Sequence, residues 1–350
     1  MLTRHSRAAG RRGGLSWPWA LAGTGTLAGS LLLGLAIGPV PIGIGAIVSD
    51  VASRLPLVHV GHRLGAVDGA VLWQLRAPRV VLGAIVGATL ATAGAGYQAV
   101  FRNPLADPYL LGVAAGAGLG ATLAIGYGHA GSGLLLTGAA FAGAVGAVAA
   151  AYALGRSVSG RDPAVLILAG VAVAAFLTAA QTFVLQQRSQ SVQAVYSWLL
   201  GRLDISGWGD LMLVAPYAAV SIAVLFAHRR LLDVLRLGDE EAMGLGVNVP
   251  RVRVVVVTAA TLGTAAVVAV SGLIGFVGVV LPHAVRLLAG ASYRIIMPLA
   301  AAFGASFLVL SDIVARTVLS PAEIPIGVVT ACIGAPCFAL VLRTTRAEPL

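Results

Sequence analysis

Lysine is missing: all 23 basic residues of this 350-residue chain are arginine. A P-loop needs a lysine to reach nucleotide phosphates, so the chain carries no nucleotide-hydrolysing motif of that kind. Charge of either sign is scarce. Only 10% of residues are charged, against about 25% in soluble domains. None occurs from Gly13 to Ser49, Val80 to Phe101, Pro108 to Gly155, Ala164 to Gln187, Val254 to Val285 or Ile295 to Ser311. Cysteine is limited to Cys332 and Cys337. Their spacing puts them on different faces of a helix, so we expect two core thiols and no disulfide. Histidine never clusters enough for a metal. His283 stands alone beside Pro282, and is expected to be structurally satisfied next to a proline kink. His59 and His62 provide two ligands where three or four are usual.

What is present is apolar residue in long runs. The chain is 58% hydrophobic with a mean hydropathy of +0.93. A membrane span needs about 20 such residues. The block from Pro108 to Gly155 therefore holds two helices, with GYGHAGSG (Gly126 to Gly133) as their turn. Val254 to Val285 holds two more, broken near Ser271 and Gly272. The total is about ten spans, an all-α polytopic membrane protein. The 45 glycines include Gly83/Gly87, Gly112/Gly116/Gly120 and Gly272/Gly275/Gly278. Lipid gives helices no hydrophobic reason to associate, and small residues let their backbones approach. Gly116 and Gly118 lack the preceding strand and later acid of a dinucleotide loop.

The net charge of +10 does not indicate nucleic acid, because the arginines sit at span ends. The run from Leu15 to Ile37 is too long for a cleaved signal and reads as a retained first span. Arg4, Arg7, Arg11 and Arg12 precede it, which puts the N-terminus inside. Alternating the spans leaves most arginines inside and brings the C-terminus inside too. The organisation is a tail (1–14), one transmembrane domain (15–345) and a second tail (346–350). Val51 to Arg76 makes an outer loop. Ser189 to Trp208 is too short to span, and its Tyr196, Trp198 and Trp208 suit an interfacial helix. Arg229 to Arg253 is the main inner loop, expected as two short helices split by Gly244, Gly246 and Pro250.

Three stretches carry a likeness. They are RAPRVVLGAIVGATLATAGAGYQAVFRNPLADPYLLGVAAGAGLG (Arg76 to Gly120), LGDEEAMGLGVNVPRVR (Leu237 to Arg253), and SGLIGFVGVVLPHAVRLLAG (from Ser271) through DIVAR to EIPIGVVTACIGAPCFALVL (to Leu342). In this order they resemble the FecCD family of ABC permeases, which import iron-siderophores, haem and cobalamin. The resemblance implies a type II importer permease in a bacterial cytoplasmic membrane. It implies a second permease copy or close paralogue, two ATPase subunits and an extracytoplasmic binding protein. ATP and magnesium would belong to the ATPase, with no cofactor on this chain.

The resemblance also implies roles for residues. Arg76, Arg79 and Arg316 would dock acidic residues of the binding protein; as outer arginines they also suit interfacial anchoring. The segment 237–253 would couple to the ATPase through Gly238, Asp239, Glu240, Glu241, Ala242, Met243, Leu245 and Gly246. The three acids equally complement a helix dipole. Asn103, Pro104, Asp107 and Pro108 form the family's signature turn, which reads physically as a tight re-entrant turn with Asp107 at the interface. Asp162, Pro163 and Ala164 fall at the inner gate region, where the match is loose. The outer YSWLLGRL is similar to the W-L-x-G-S-L of siderophore permeases, although Arg202 replaces the serine. Iron-siderophore is thus the expected cargo, with cobalamin or haem as alternatives. A secondary transporter is the rival class, opposed by the charge-free spans.

Overall fold

The computed structural model describes residues 15–54, 64–128, 133–159, 163–203 and 207–345. His59, His62 and Asp162 lie outside them. Among the described residues all regular elements are helical: α1 (Trp17–Ala36), α2 (Ile44–Ser53), α3 (Ala66–Ala70), α4 (Ala77–Val100), α5 (Val113–Tyr127), α6 (Gly133–Ser159), α7 (Pro163–Gln187), α8 (Val192–Leu199), α9 (Gly209–Leu235), α10 (Asp239–Gly244), α11 (Val249–Ser271), α12 (Val277–Ala289), α13 (Tyr293–Thr317) and α14 (Ile326–Thr345). Seven helical stretches are long and apolar enough to cross a membrane, counting Ala66–Val100 as one. The shorter apolar α5, α12 and α14 pack among them, and the end of α4 meets the start of α11 at one face. That face carries α10; the opposite one carries α2 and α8.

α3 and α4 run as one helix through a π-helical turn, Val71–Arg76. The cause is local. Pro78 has no N–H to close on the Gln74 carbonyl. The ladder widens just before it, and Ala77 N–H donates to Leu72 O, five residues back.

Helix α4 is the axis of the fold. In its apolar window 78% of residues are buried, against 17% in α1 and in α7. Glycine makes that burial possible at two crossings. A Cβ on Gly87 would overlap the Gly304 carbonyl of α13, and one on Gly94 would overlap the Gly278 carbonyl of α12. Polar residues add ties: Tyr97 Oη lies 2.8 Å from Thr261 Oγ1 of α11.

Five expectations need revision. The signature turn does not stop at the interface. Pro108 packs against Gly278, beside the Leu90 carbonyl. Leu90 is ten residues from the end of α4, or about 15 Å along it. The chain climbs back into the bundle, taking Asp107 with it, and α5 is short because it starts there. Neither acidic nor amide side chain caps that helix: Asn103 Oδ1 accepts from Leu105 N–H (2.9 Å) and Asp107 Oδ1 from Tyr109 N–H (2.7 Å). The α5 cap is Gly112, at φ 84°.

The inner loop holds one short helix, α10, because the stretch beyond Gly246 is already the start of α11 at Val249, while α9 continues to Leu235 and absorbs Arg229 and Arg230. In the α8 segment Trp198 is fully buried and Trp208 donates Nε1–H to Trp73 O at 3.0 Å, so only Tyr196 faces outward. Finally, Cys332 and Cys337 are exposed on α14, and buried His283 leaves Nδ1 without a hydrogen-bond partner among the described residues.

Candidate functional sites at the two faces

On the α8 face, five charged residues from three segments meet. The π turn and the start of α4 supply Arg76 and Arg79. The end of α13 supplies Asp312 and Arg316, one turn apart, and the α13–α14 loop supplies Glu323. That loop is pinned by Ile324 N–H donating to Ala315 O at 2.9 Å.

Arg76 and Arg316 point inward, and both are almost wholly buried. Arg76 donates to Leu35 O (2.9 Å), Ala36 O (3.1 Å) and Val40 O; Arg316 donates to Gly34 O at 2.5 Å. The last carbonyls of a helix have no partner within it and carry partial negative charge. Two guanidinium groups therefore close the end of α1. This geometry is a structural cap, and it leaves neither side chain presented to solvent.

Arg79 differs. Its Nε donates to both oxygens of Asp312, at 3.0 and 3.2 Å. Its Nη1 and Nη2 donate to the two oxygens of Glu323, at 2.9 and 2.8 Å. The fork is thus shared between two carboxylates in unlike settings: the Asp312 side chain is 3% exposed and that of Glu323 is 45% exposed. The hydrogen bond from Arg79 holds the Glu323 carboxyl below its ordinary range. Asp312 also lies 3.4 Å from Arg316. It is the hub of the cluster, a single acid serving one buried cation and one that is 14% exposed. Asp312→Asn is expected to lower the unfolding midpoint of the detergent-solubilised protein markedly, since removing one partner of a buried pair costs about 3–5 kcal/mol. An unchanged midpoint would show that the cluster is not structural. Sequence reasoning gave Asp312 and Glu323 no role of their own. The available signal was their position, acids bracketing an arginine at the end of an apolar span.

On the α10 face, Gly238 turns the chain at φ 129° and α10 begins with Asp239, Glu240 and Glu241. Ala242 is buried and anchors the helix, while Met243 and Leu245 are exposed. Gly246, at φ 81°, reverses the chain toward α11. Asp239 is the tie to the rest: its Oδ1 accepts from Arg253 Nη2 of α11 at 2.8 Å and lies 3.6 Å from Arg102 Nη2 at the end of α4. A cavity of about 630 Å³ lies alongside, lined by Phe101, Tyr152, Arg156, Met243, Arg251 and Arg253 among others. In the gate region Pro163 opens α7 and Ala164 follows in its first turn.

The model of the FecCD transport family matches residues 26–344. The chain belongs to that family. Among similar proteins, the cobalamin import system permease protein BtuC of Halobacterium salinarum is 37% identical, over 95% of this chain and 97% of its own length. The Fe(3+)-citrate import system permease protein YfmD of Bacillus subtilis is 39% identical, over 87% of this chain and 92% of its own. A solved metal-chelate type ABC transporter in an inward-facing conformation superposes with a TM-score of 0.82 at 30% identity, covering 94% of this chain and all of that one. This FecCD-family chain is thus a multi-pass membrane permease of the ABC type.

Proposed function

We propose that this permease carries a ferric chelate of the siderophore class inward across a bacterial cytoplasmic membrane, with both termini on the cytoplasmic side. The observation that carries the reading is the end-to-end match to the metal-chelate transporter. Relatives named for Fe(3+)-citrate and for siderophore transport, 39% and 35% identical, support it. Cobalamin is the second reading, favoured by the halobacterial relative that covers nearly the whole chain.

Two copies would frame the pore, two ATPase subunits holding ATP and magnesium would grip α10, and an extracytoplasmic binding protein would deliver cargo. Exposed Met243 and Leu245 offer the ATPase apolar contacts, and buried Ala242 with the Asp239 tie holds α10 to α4 and α11. Docking falls on Arg79, since Arg76 and Arg316 are engaged with α1. Asp162, Pro163 and Ala164 would sit at the inner gate.

Uptake of labelled ferric siderophore, ferric citrate, haem and cobalamin is measured in cells with and without the gene. Loss of ferric-chelate uptake alone is expected. Loss of cobalamin uptake alone gives the second reading. Uptake that persists without the partner ATPase would point instead to an ion-coupled carrier, for which buried Asp107 would be the first residue to test.

A further inference from the structure

We infer that Glu323 is a built-in competitor at the docking site: it holds the fork of Arg79 that a carboxylate of the binding protein would take, so docking proceeds by carboxylate exchange. The inference rests on the docking reading above and adds how that contact is regulated.

The geometry separates the two ends of the fork. The Nε side is bonded to Asp312, a side chain 3% exposed and also facing Arg316. Withdrawing Asp312 would strand both cations, so that end is fixed. The Nη side is bonded to Glu323 at 2.9 and 2.8 Å, the bidentate pattern any carboxylate can copy, while Nη2 also keeps Asp312 Oδ1 at 2.9 Å. Glu323 is 45% exposed, in a loop beyond the end of α13. Once released the Glu323 carboxylate regains water on the side that already faces it, while the Arg79 side chain, 14% exposed, keeps its bonds to Asp312. An incoming Asp or Glu side chain would thus replace like with like, and the buried half of the network would not move.

The pairing also sets selectivity. With Glu323 in place the fork is neutralised, which weakens the long-range pull on anionic molecules in general. Only a partner that brings its carboxylate to the fork, while contacting the surrounding surface, displaces the resident one. The free permease is thereby guarded against stray anions, and Glu323 returns when the partner leaves.

The test uses the full permease–ATPase complex in lipid nanodiscs. The probe is the purified binding protein whose loss abolishes uptake through this permease. Affinity is measured at several salt concentrations for the wild type, Glu323→Gln, Arg79→Gln and the double variant. Glu323→Gln is expected to bind about two- to fivefold tighter, the range spanned by an ion pair with one partner in solvent. Its association should be faster and more salt-sensitive. Arg79→Gln should bind at least about tenfold more weakly, as for a charged hydrogen bond lost at an interface. The double variant should match Arg79→Gln, because the gain exists only through the fork. Unfolding midpoints check that each variant is intact, and Glu323→Asp, with a shorter reach, gives a smaller gain in the same direction if Glu323→Gln is poorly folded. Weaker or unchanged binding by both Glu323 variants, with Arg79→Gln impaired, would overturn the exchange and leave docking standing. Unchanged binding by Arg79→Gln would overturn the docking reading itself.

Discussion

Gly94→Ala is expected to be among the most damaging single-methyl changes in this protein. The added Cβ would overlap the backbone carbonyl of Gly278, which cannot rotate away as a side chain would. Overpacking a close-packed site typically costs about 1–3 kcal/mol, occasionally more. Here relief requires α4 and α12 to separate, and α12 is also wedged by Pro108 against the face of Gly278. Gly25→Ala is the internal control: nothing lies within 4 Å of a Cβ there. Alanine is the better helix former by about 1 kcal/mol, so this change should be neutral or stabilising. Thermal unfolding of both purified variants checks the pair. A Gly94→Ala midpoint equal to that of Gly25→Ala would mean that the α4–α12 contact does not limit stability.

Asp239→Asn is expected to uncouple the transporter. The substitution keeps the shape and removes the charge that draws Arg253 and Arg102 together. α10 would remain able to meet the ATPase through Met243 and Leu245, but its displacement would no longer pull on α4 and α11. Reconstituted complexes should therefore retain ATP hydrolysis while cargo transport falls about tenfold or more, consistent with the 1.5–3 kcal/mol typical of a charged hydrogen bond. The charge-swapped pair Asp239→Arg with Arg253→Asp should recover part of the transport. Equal loss of hydrolysis and transport would instead indicate that Asp239 contributes to assembly.

Much of this architecture was legible in the sequence because a membrane imposes a one-dimensional rule. Charge-free blocks must become helices, and the break at Ser271 and Gly272 falls where α11 ends. The motif segments likewise located both charged faces. What could not be read was depth and direction. The prolines and acids of NPLADP announce a turn, but they do not say that the turn climbs back along α4. Only the missing side chain of Gly278, far along the chain, leaves room for Pro108 to do so. The arginines show the same limit. Arg76 and Arg79 are three residues apart and look equivalent in sequence. One closes the end of α1 and the other reaches the surface, because α1, α13 and the Glu323 loop arrive from distant parts of the chain. Trp198 shows it too: its aromatic neighbours are compatible with an interface, and its burial depends on α5 packing against α8.

The π turn at Val71–Arg76 has a consequence for how the helix would tolerate a change in length. One extra residue in a turn advances the phase of everything beyond it by about 100°. Deleting a residue there would restore an ordinary ladder but impose that rotation on one side. α4 cannot absorb it, because its glycines are keyed to α12 and α13. The whole error would fall on the outer arm, where Trp73 donates to Asp50 of α2 at 2.7 Å and takes Trp208 on its carbonyl. The widened turn acts as a phase adjuster between a shaft that cannot turn and a cap that must face a set direction.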